Sequence, residues 1–111
     1  TFTAENIVGH PTFKVIADHA TIGVYQLKIE EVAAELTDLW VHPSAMGRGV
    51  GRLLVEHAES TARGLGCTRL HLASDPHAEA FYLRLGLRRY GAQDASMDHR
   101  PRVLPLLEKR L

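Results

Sequence analysis

The segment with the clearest chemical potential is GRGVGR at residues 47–52, where glycines alternate with two arginines. An apolar pattern of helical period overlaps its end, so the segment leads into a helix. The first N–H groups of a helix lack partners within the helix, and its dipole is positive there. Glycines let a ligand approach the backbone, while Arg48 and Arg52 add positive charge. The pattern predicts a phosphate or pyrophosphate cradle, with a plain turn into an exposed helix as the alternative.

The charges of the chain sum to zero over 111 residues but are unevenly distributed. Residues 1–47 carry two basic and six acidic side chains, net −4, whereas residues 48–111 carry eleven basic and seven acidic ones, net +4. This favours a local anion site over a nucleic-acid or membrane surface. No apolar run is long enough to span a membrane, and the single cysteine indicates a reducing, cytoplasmic location.

Neither a metal site nor a catalytic thiol is expected. The seven histidines include no pair at i,i+4 or His-x-His spacing, which metal sites commonly use. Cys67 has no cysteine or histidine beside it in the sequence, so we do not expect a nucleophile there. His57 lies on the apolar face of the predicted helix and is interpreted as a core residue.

Strands alternate with helices along the chain. Strands are predicted at 13–18, 22–29 and 32–41 before the glycine-rich segment, and at 68–74, 87–92 and 102–111 after it. Apolar residues at helical spacing predict a helix over 49–65. A second helix is expected from Asp75, as its cap, to a stop at Gly86.

Three further segments have weaker signals. Residues 1–11 are interpreted as the last turns of a helix. Residues 93–101 are predicted to be a polar loop. Pro105 favours a sheet edge or a bulge for the last strand, because proline has no backbone N–H to donate.

Two longer motifs resemble those of the GNAT acetyltransferase superfamily. The first is VHP at 41–43, followed by MGRGVG at 46–51 and a long helix; the second is AEAFYLRLGL at 78–87. The resemblance runs over about residues 13 to 91. It implies one domain over residues 1–111 with the α/β (α+β) acyl-CoA N-acyltransferase fold, a mixed, mostly antiparallel sheet flanked by helices. It also implies that the family's first strand and first helices are missing, with the opening residues as their tail.

The resemblance implies acetyl-CoA as co-substrate and no metal. In the family, the glycine-rich segment holds the pyrophosphate and the preceding strand pairs with the pantetheine arm. The matching positions here are Leu39, Trp40, Val41, Met46, Gly47, Arg48, Gly49, Val50, Gly51, Arg52, His77 and Phe81. Met46 stands where Gln or Arg is usual, and His77 where Asn is usual. Arg84, Arg88 and Arg89 either form a solvated face or reach the 3′-phosphate of CoA.

The family's reaction is direct attack of an amine on the thioester, which needs a base, an oxyanion donor and an acid. The resemblance places the base at Glu35, the acid at Tyr82, and the oxyanion donor at a backbone N–H between Leu39 and Val41. Asp38 is the next candidate base. Regular alternation puts Glu35 and Asp38 on opposite strand faces, so at most one would enter the cleft. Glu35 as a solvated carboxylate and Tyr82 as a core aromatic are the alternatives.

The favoured function is therefore transfer of acetyl from acetyl-CoA to a primary amine of a small molecule or peptide. The resemblance also favours a homodimer. The alternative function is a non-catalytic CoA-binding module that acts as a sensor or interaction protein, which the departures at Met46 and His77 and the short amino terminus support. Trp40 and Tyr25 either line an acceptor pocket or are buried in the sheet.

Overall fold

A computed structural model describes residues 2–7, 10–96 and 100–111, with side chains from residue 10 onwards. The strands are β1 (Phe2–Ile7), β2 (His10–Ala17), β3 (Ala20–Glu30), β4 (Ala33–Val41), β5 (Arg69–Ala73), β6 (Arg88–Asp94) and β7 (Val103–Arg110). The helices are α1 (Val50–Gly64) and α2 (Glu79–Arg84), each preceded by a single 3-10 turn, Pro43–Ala45 and Pro76–Ala78.

The strands form one sheet in the order β1-β2-β3-β4-β5-β7-β6. β4 and β5 are parallel, and the other neighbouring strands are antiparallel. The predicted mixed, mostly antiparallel sheet is confirmed. A parallel pair needs a crossover connection, which α1 supplies between β4 and β5.

The expectation of a helix at the start of the chain is wrong. Residues 2–7 form β1, which pairs antiparallel with β2 from Phe2 opposite Val15 to Ile7 opposite His10. The outer edge of β2 carries backbone groups that need partners, and Phe2, Thr3 and Ile7 are residue types that favour a strand. Residues 1, 8 and 9 of that prediction lie outside the described residues.

Two later predictions also need correction. Asp75 caps the 3-10 turn, where its Oδ1 accepts the His77 N–H at 2.8 Å, and α2 proper begins only at Glu79. β7 is an interior strand, not an edge strand. Pro105 is tolerated there because it faces Ser74, just beyond the end of β5. The Ser74 N–H donates to the Pro105 carbonyl at 2.8 Å. Proline has no N–H to return, so the β5–β7 ladder loses only this last hydrogen bond.

The apolar face of α1 packs against β3 and β4. Leu54, Val55, Ala58 and Ala62 of this helix are fully buried. Tyr25 of β3 is fully buried beneath it, with its hydroxyl 2.7 Å from His57 Nδ1 and 3.0 Å from Thr61 Oγ1. Tyr25 is therefore a core residue, not part of an acceptor pocket, and His57 is half-buried against the sheet as predicted.

A lysine joins α1 and α2, which lie side by side on one sheet face. Lys109 Nζ of β7 donates to Glu59 Oε1 of α1 at 2.9 Å and to the Leu85 carbonyl after α2 at 2.9 Å. Glu59 is only 6% exposed. A carboxylate so deeply buried needs a charged partner, so this contact fixes the position of α2 relative to α1.

We expect Lys109→Met to lower the free energy of unfolding by about 3 kcal/mol, because it leaves the buried Glu59 carboxylate with only the more distant Arg63 guanidinium, 4.0 Å away, as a cation. Urea denaturation measures the change. Lys28→Met, at an exposed position of β3, is the matched control. A loss for Lys109→Met no larger than that of the control would contradict the assignment, whereas recovery in the Lys109→Met/Glu59→Gln double variant would support it.

Candidate active site

The site is built around a gap between β4 and β5. Their parallel pairing covers Ala33 to Glu35, opposite Arg69 to His71, and the two strands separate beyond that point. The carboxyl end of β4 then leads through a 3-10 turn into α1. Ligands in sheets of this kind bind where neighbouring strands diverge at their carboxyl ends.

A β-bulge in β4 changes which way its carboxylates face. Leu36 pairs with Leu27, but Asp38 pairs with Gln26, so Thr37 is an extra residue in the ladder. Directly opposed residues share a face, and Glu35 pairs with Lys28. Lys28 and Gln26 are two residues apart and therefore share a face. Glu35 and Asp38 thus lie on the same face, and the expectation of opposite faces is wrong.

The glycine-rich segment forms a loop whose backbone lies open. Gly47 and Gly49 have φ of +76° and +80°, a left-handed conformation that favours glycine. Among the described residues, no atom lies within 4 Å of a Cβ built at either position. Gly49 is the N-cap of α1 and supplies no side-chain acceptor to the first N–H groups of the helix. These features fit a phosphate group placed against the backbone.

A pocket of about 330 Å³ opens beside this loop. It is lined by Leu39, Val41, Ala45, Met46, Gly47, Gly49, Val50, Gly51, Arg52 and Phe81. Nine of the twelve predicted CoA positions are thus brought together. A Cβ at Gly51 would lie 3.1 Å from the Phe81 ring, so glycine permits the close approach of α1 to α2 there.

The other three predicted CoA positions lie outside this pocket. Trp40 is opposite Val24, on the face away from α1, and its ring centroid lies 5.7 Å from that of His42. Arg48 and His77 are exposed. Their predicted contacts with CoA stay predictions.

A second pocket of about 260 Å³ occupies the gap itself. Its lining is Leu36, Thr37, Asp38, Leu39, Leu72, Ala73, Ser74, Asp75, Ala78, Phe81 and Tyr82. Leu39 and Phe81 line both pockets, so the two are continuous. Asp38 and Tyr82 therefore face one space, whereas Glu35 lies at the last paired position below it.

Tyr82 is nearly buried, and burial raises its pKa to about 12. Within the part of the chain that the structure describes, its hydroxyl makes no hydrogen bond. A phenol in this state keeps its proton at physiological pH and has that proton available for donation in the cleft.

Backbone N–H groups of β4 also point into the gap. The His42 N–H donates to the Ile22 carbonyl of β3 at 2.8 Å. In an antiparallel ladder, hydrogen-bonded pairs alternate with pairs that turn their N–H groups outward. Counting back from His42, the N–H groups of Trp40 and Asp38 point toward β3. The N–H groups of Leu39 and Val41 point away from β3, toward the cleft.

Arg84, Arg88 and Arg89, interpreted either as a solvated face or as contacts to the 3′-phosphate of CoA, lie in different places. Arg84 shares a pocket with Arg52 between α1 and α2. Arg89 pairs with Glu79 at 3.6 Å. Arg88 pairs with Glu108 at 3.2 Å.

The sequence reading missed part of the cleft lining. Ser74 is 2% exposed, and its hydroxyl donates to the Asp75 carbonyl at 2.7 Å, which shapes the turn after β5. Ala78 begins the second motif but was not assigned to the site. Its small side chain beside Tyr82 and Phe81 was the available signal.

Over the described residues, no group of three metal-ligating side chains is found, and no helix is long and apolar enough to cross a bilayer.

Comparison with known proteins identifies the family and the fold. The sequence profile of the acetyltransferase (GNAT) family matches residues 3–87. An acetyltransferase from Bacillus cereus ATCC 14579 is 25% identical, with a TM-score of 0.80 over 92% of this chain and 73% of that one. An acetyltransferase from Bacillus subtilis in complex with CoA is 22% identical, with a TM-score of 0.78 over 92% and 77%. No curated protein sequence matches the chain. The predicted fold class and family resemblance are confirmed.

We expect Gly49→Ala to lower the free energy of unfolding by about 1 kcal/mol, because an L side chain is strained at this positive φ. Gly64→Ala is the matched control, since Gly64 is helical and a Cβ there meets open space. The control is expected to raise stability by about 0.5 kcal/mol. Thermal unfolding measures both, and equal shifts in the two variants would contradict the left-handed conformation at Gly49.

Proposed function

Because the chain belongs to the acetyltransferase (GNAT) family, we propose that it transfers the acetyl group of acetyl-CoA to a primary amine. The observation that carries this proposal is the continuity of the two pockets through Leu39 and Phe81. One pocket offers open backbone and positive charge to a pyrophosphate, and the other offers titratable groups. A long substrate lying along both would bring its phosphates to α1 and its reacting end to the gap.

Each step of the reaction has a candidate group. The amine arrives as an ammonium, and a carboxylate on the face away from the helices accepts its proton. Glu35 is our first choice; Asp38 is the second candidate, because it lines the cleft with Tyr82. The outward N–H groups of Leu39 and Val41 are suited to stabilise the oxyanion. The Tyr82 hydroxyl then protonates the departing thiolate.

The setting of the reaction is also part of the proposal. The single cysteine, buried and unpaired, fits a reducing cytoplasm. The homodimer expected from the family stays a prediction. The alternative of a non-catalytic CoA-binding module has one observation in its favour, because Met46 is 65% exposed where a polar side chain is usual.

We expect acetyl-CoA to bind with an affinity that falls as KCl is raised, because charged contacts to phosphate are screened by salt. Calorimetric titration measures the dissociation constant. Arg52→Gln should weaken binding by about two- to fivefold, a range typical of exposed charge pairs. Arg63→Gln, near the other end of α1, is the matched control. Absence of binding by the folded protein would overturn the proposal.

We expect Tyr82→Phe to lower kcat by about 100-fold, as for loss of a general acid. Release of CoA thiol from acetyl-CoA and hexylamine measures kcat. Of Glu35→Gln and Asp38→Asn, the variant that loses activity identifies the residue that acts as the base. Glu31→Gln, in the β3–β4 turn, is the control. With a pKa of about 12, Tyr82 itself should cause no loss of activity below about pH 11.

Two results would contradict this mechanism. Turnover that survives Tyr82→Phe and both carboxylate variants would show that other groups move the protons. Tight acetyl-CoA binding without acetylation of any amine would favour the non-catalytic module instead.

A further inference from the structure

A third pocket, of about 640 Å³, lies apart from the two that form the proposed acetyl-CoA site. It is lined by Thr68, Arg69, Arg88, Glu108, Arg110 and Leu111. Three guanidinium groups and one carboxylate give the side chains of this pocket a net charge of +2. A pocket of this charge is suited to an anion.

The three arginines come from three neighbouring strands. Glu108 of β7 accepts from Arg69 Nε of β5 at 2.7 Å and from Arg88 Nη2 of β6 at 3.2 Å. Arg69 also lies over the Tyr90 ring, with its Cζ 5.0 Å from the ring centroid. A guanidinium has five N–H donors, so each of these arginines keeps donors for a ligand. Arg110 has no acidic partner among the residues that the structure describes. The arginines are thus held near one another while their donors are incompletely used.

The arginine pocket lies on the same sheet face as the carboxylates of the cleft. Glu35 is opposite His71, His71 is opposite Glu108, and Glu108 is opposite Arg88. Directly opposed residues share a face. Arg69 is two residues from His71 and Arg110 is two residues from Glu108, so both arginines lie on this face as well.

The helices and the cradle lie on the other face. Lys109, next to Glu108 in β7, reaches Glu59 of α1, and Tyr25, next to Gln26 in β3, contacts α1. Neighbouring residues of a strand point to opposite faces. The arginines are therefore separated by the sheet from the loop assigned to the pyrophosphate.

The arginine pocket lies close to Glu35, on the side away from the gap, because Arg69 is opposite Ala33, two residues before Glu35. Arg69 precedes His71 by two residues on β5, and His71 is paired with Glu35 on β4. A rise of about 3.3 Å per residue and a strand spacing of about 4.8 Å put the backbones of Glu35 and Arg69 roughly 8 Å apart. This face thus presents the Glu35 carboxylate and guanidinium groups a short distance from it.

We propose that the acceptor is zwitterionic: its amine lies at the Glu35 carboxylate, and its carboxylate or phosphate binds Arg69, Arg88 and Arg110. This inference rests on the proposed acetyl transfer and adds the substrate class. Guanidinium groups bind both anions through paired N–H donors, so carboxylate and phosphate share one recognition chemistry.

Three acceptors of equal length test the substrate class: 6-aminohexanoate, hexylamine and 1,6-diaminohexane, with 6-aminohexyl phosphate as the second anion. We expect kcat/KM for 6-aminohexanoate to exceed that for hexylamine at least about tenfold, the effect of one good charged contact. Diaminohexane should be the poorest acceptor. The relative rates of the carboxylate and the phosphate tell which anion the pocket prefers.

Arg110→Gln tests the pocket itself, because Arg110 makes no described ion pair whose loss would disturb the sheet. The ratio of kcat/KM for 6-aminohexanoate to that for hexylamine should fall toward one in this variant. It should stay at the wild-type value in Arg63→Gln, on the helix side. Arg88→Gln is the second variant, with thermal unfolding to verify the fold of each.

The outcomes separate the two proposals. If hexylamine is acetylated but 6-aminohexanoate has no advantage, or if its advantage survives Arg110→Gln and Arg88→Gln, the zwitterionic acceptor is overturned while acetyl transfer stands. If acetyl-CoA binds and none of the four amines is acetylated, acetyl transfer itself fails, and the substrate class falls with it.

Discussion

The short pairing of β4 with β5 is the constraint on which the rest of the site depends. These strands pair only from Ala33 to Glu35 within the described sheet, and they are its one parallel pair. Parallel strands require a crossover, so the chain must leave the end of β4, form α1 and return. The start of a helix is thereby brought to the edge of an opening in the sheet. The proposed phosphate cradle and the proposed reacting space are adjacent because one topological requirement produces both.

The sheet divides the chemistry of the site between its two faces. The helices, the glycine-rich loop and the Phe81 contact with Gly51 lie on one face. The carboxylates Glu35 and Asp38 lie on the other, because the bulge at Thr37 restores Asp38 to the face of Glu35. The gap beside β4 is the passage between them. In the proposed function, this arrangement keeps the negative charge of the CoA phosphates away from the negative charge of the base.

Much of this organisation was predictable, because its signals are local. The period of α1, the glycine positions and the capping by Asp75 are properties of neighbouring residues, and α1 agrees with its prediction to within a residue. The motif from Leu39 to Arg52 likewise brought most of one pocket lining together, because β4, the loop and α1 follow one another in the chain.

The features that escaped prediction depend on distant partners. A bulge is defined by the opposing strand, so nothing within β4 reveals that Thr37 is extra. Residues 2–7 become a strand because β2 offers an edge, although their own pattern allowed a helix. Pro105 lies inside the sheet because β5 ends at Ala73, which only the pairing register can show. The arginine pocket joins residues up to 43 positions apart, Thr68 to Leu111, and no spacing rule connects them.

This contrast between local and distant contacts has a consequence for how the protein is assembled. The loop and the start of α1 need only the residues from about Val41 to Arg52 and the β3–β4 hairpin beneath them. The gap acquires its second wall only when β5 joins the sheet, and β5 is held there by β7 from the far end of the chain. Contacts between distant parts of a chain form slowly during folding. A nascent chain that ends before β7 would therefore acquire its glycine-rich loop well before the gap beside β4 has its second wall.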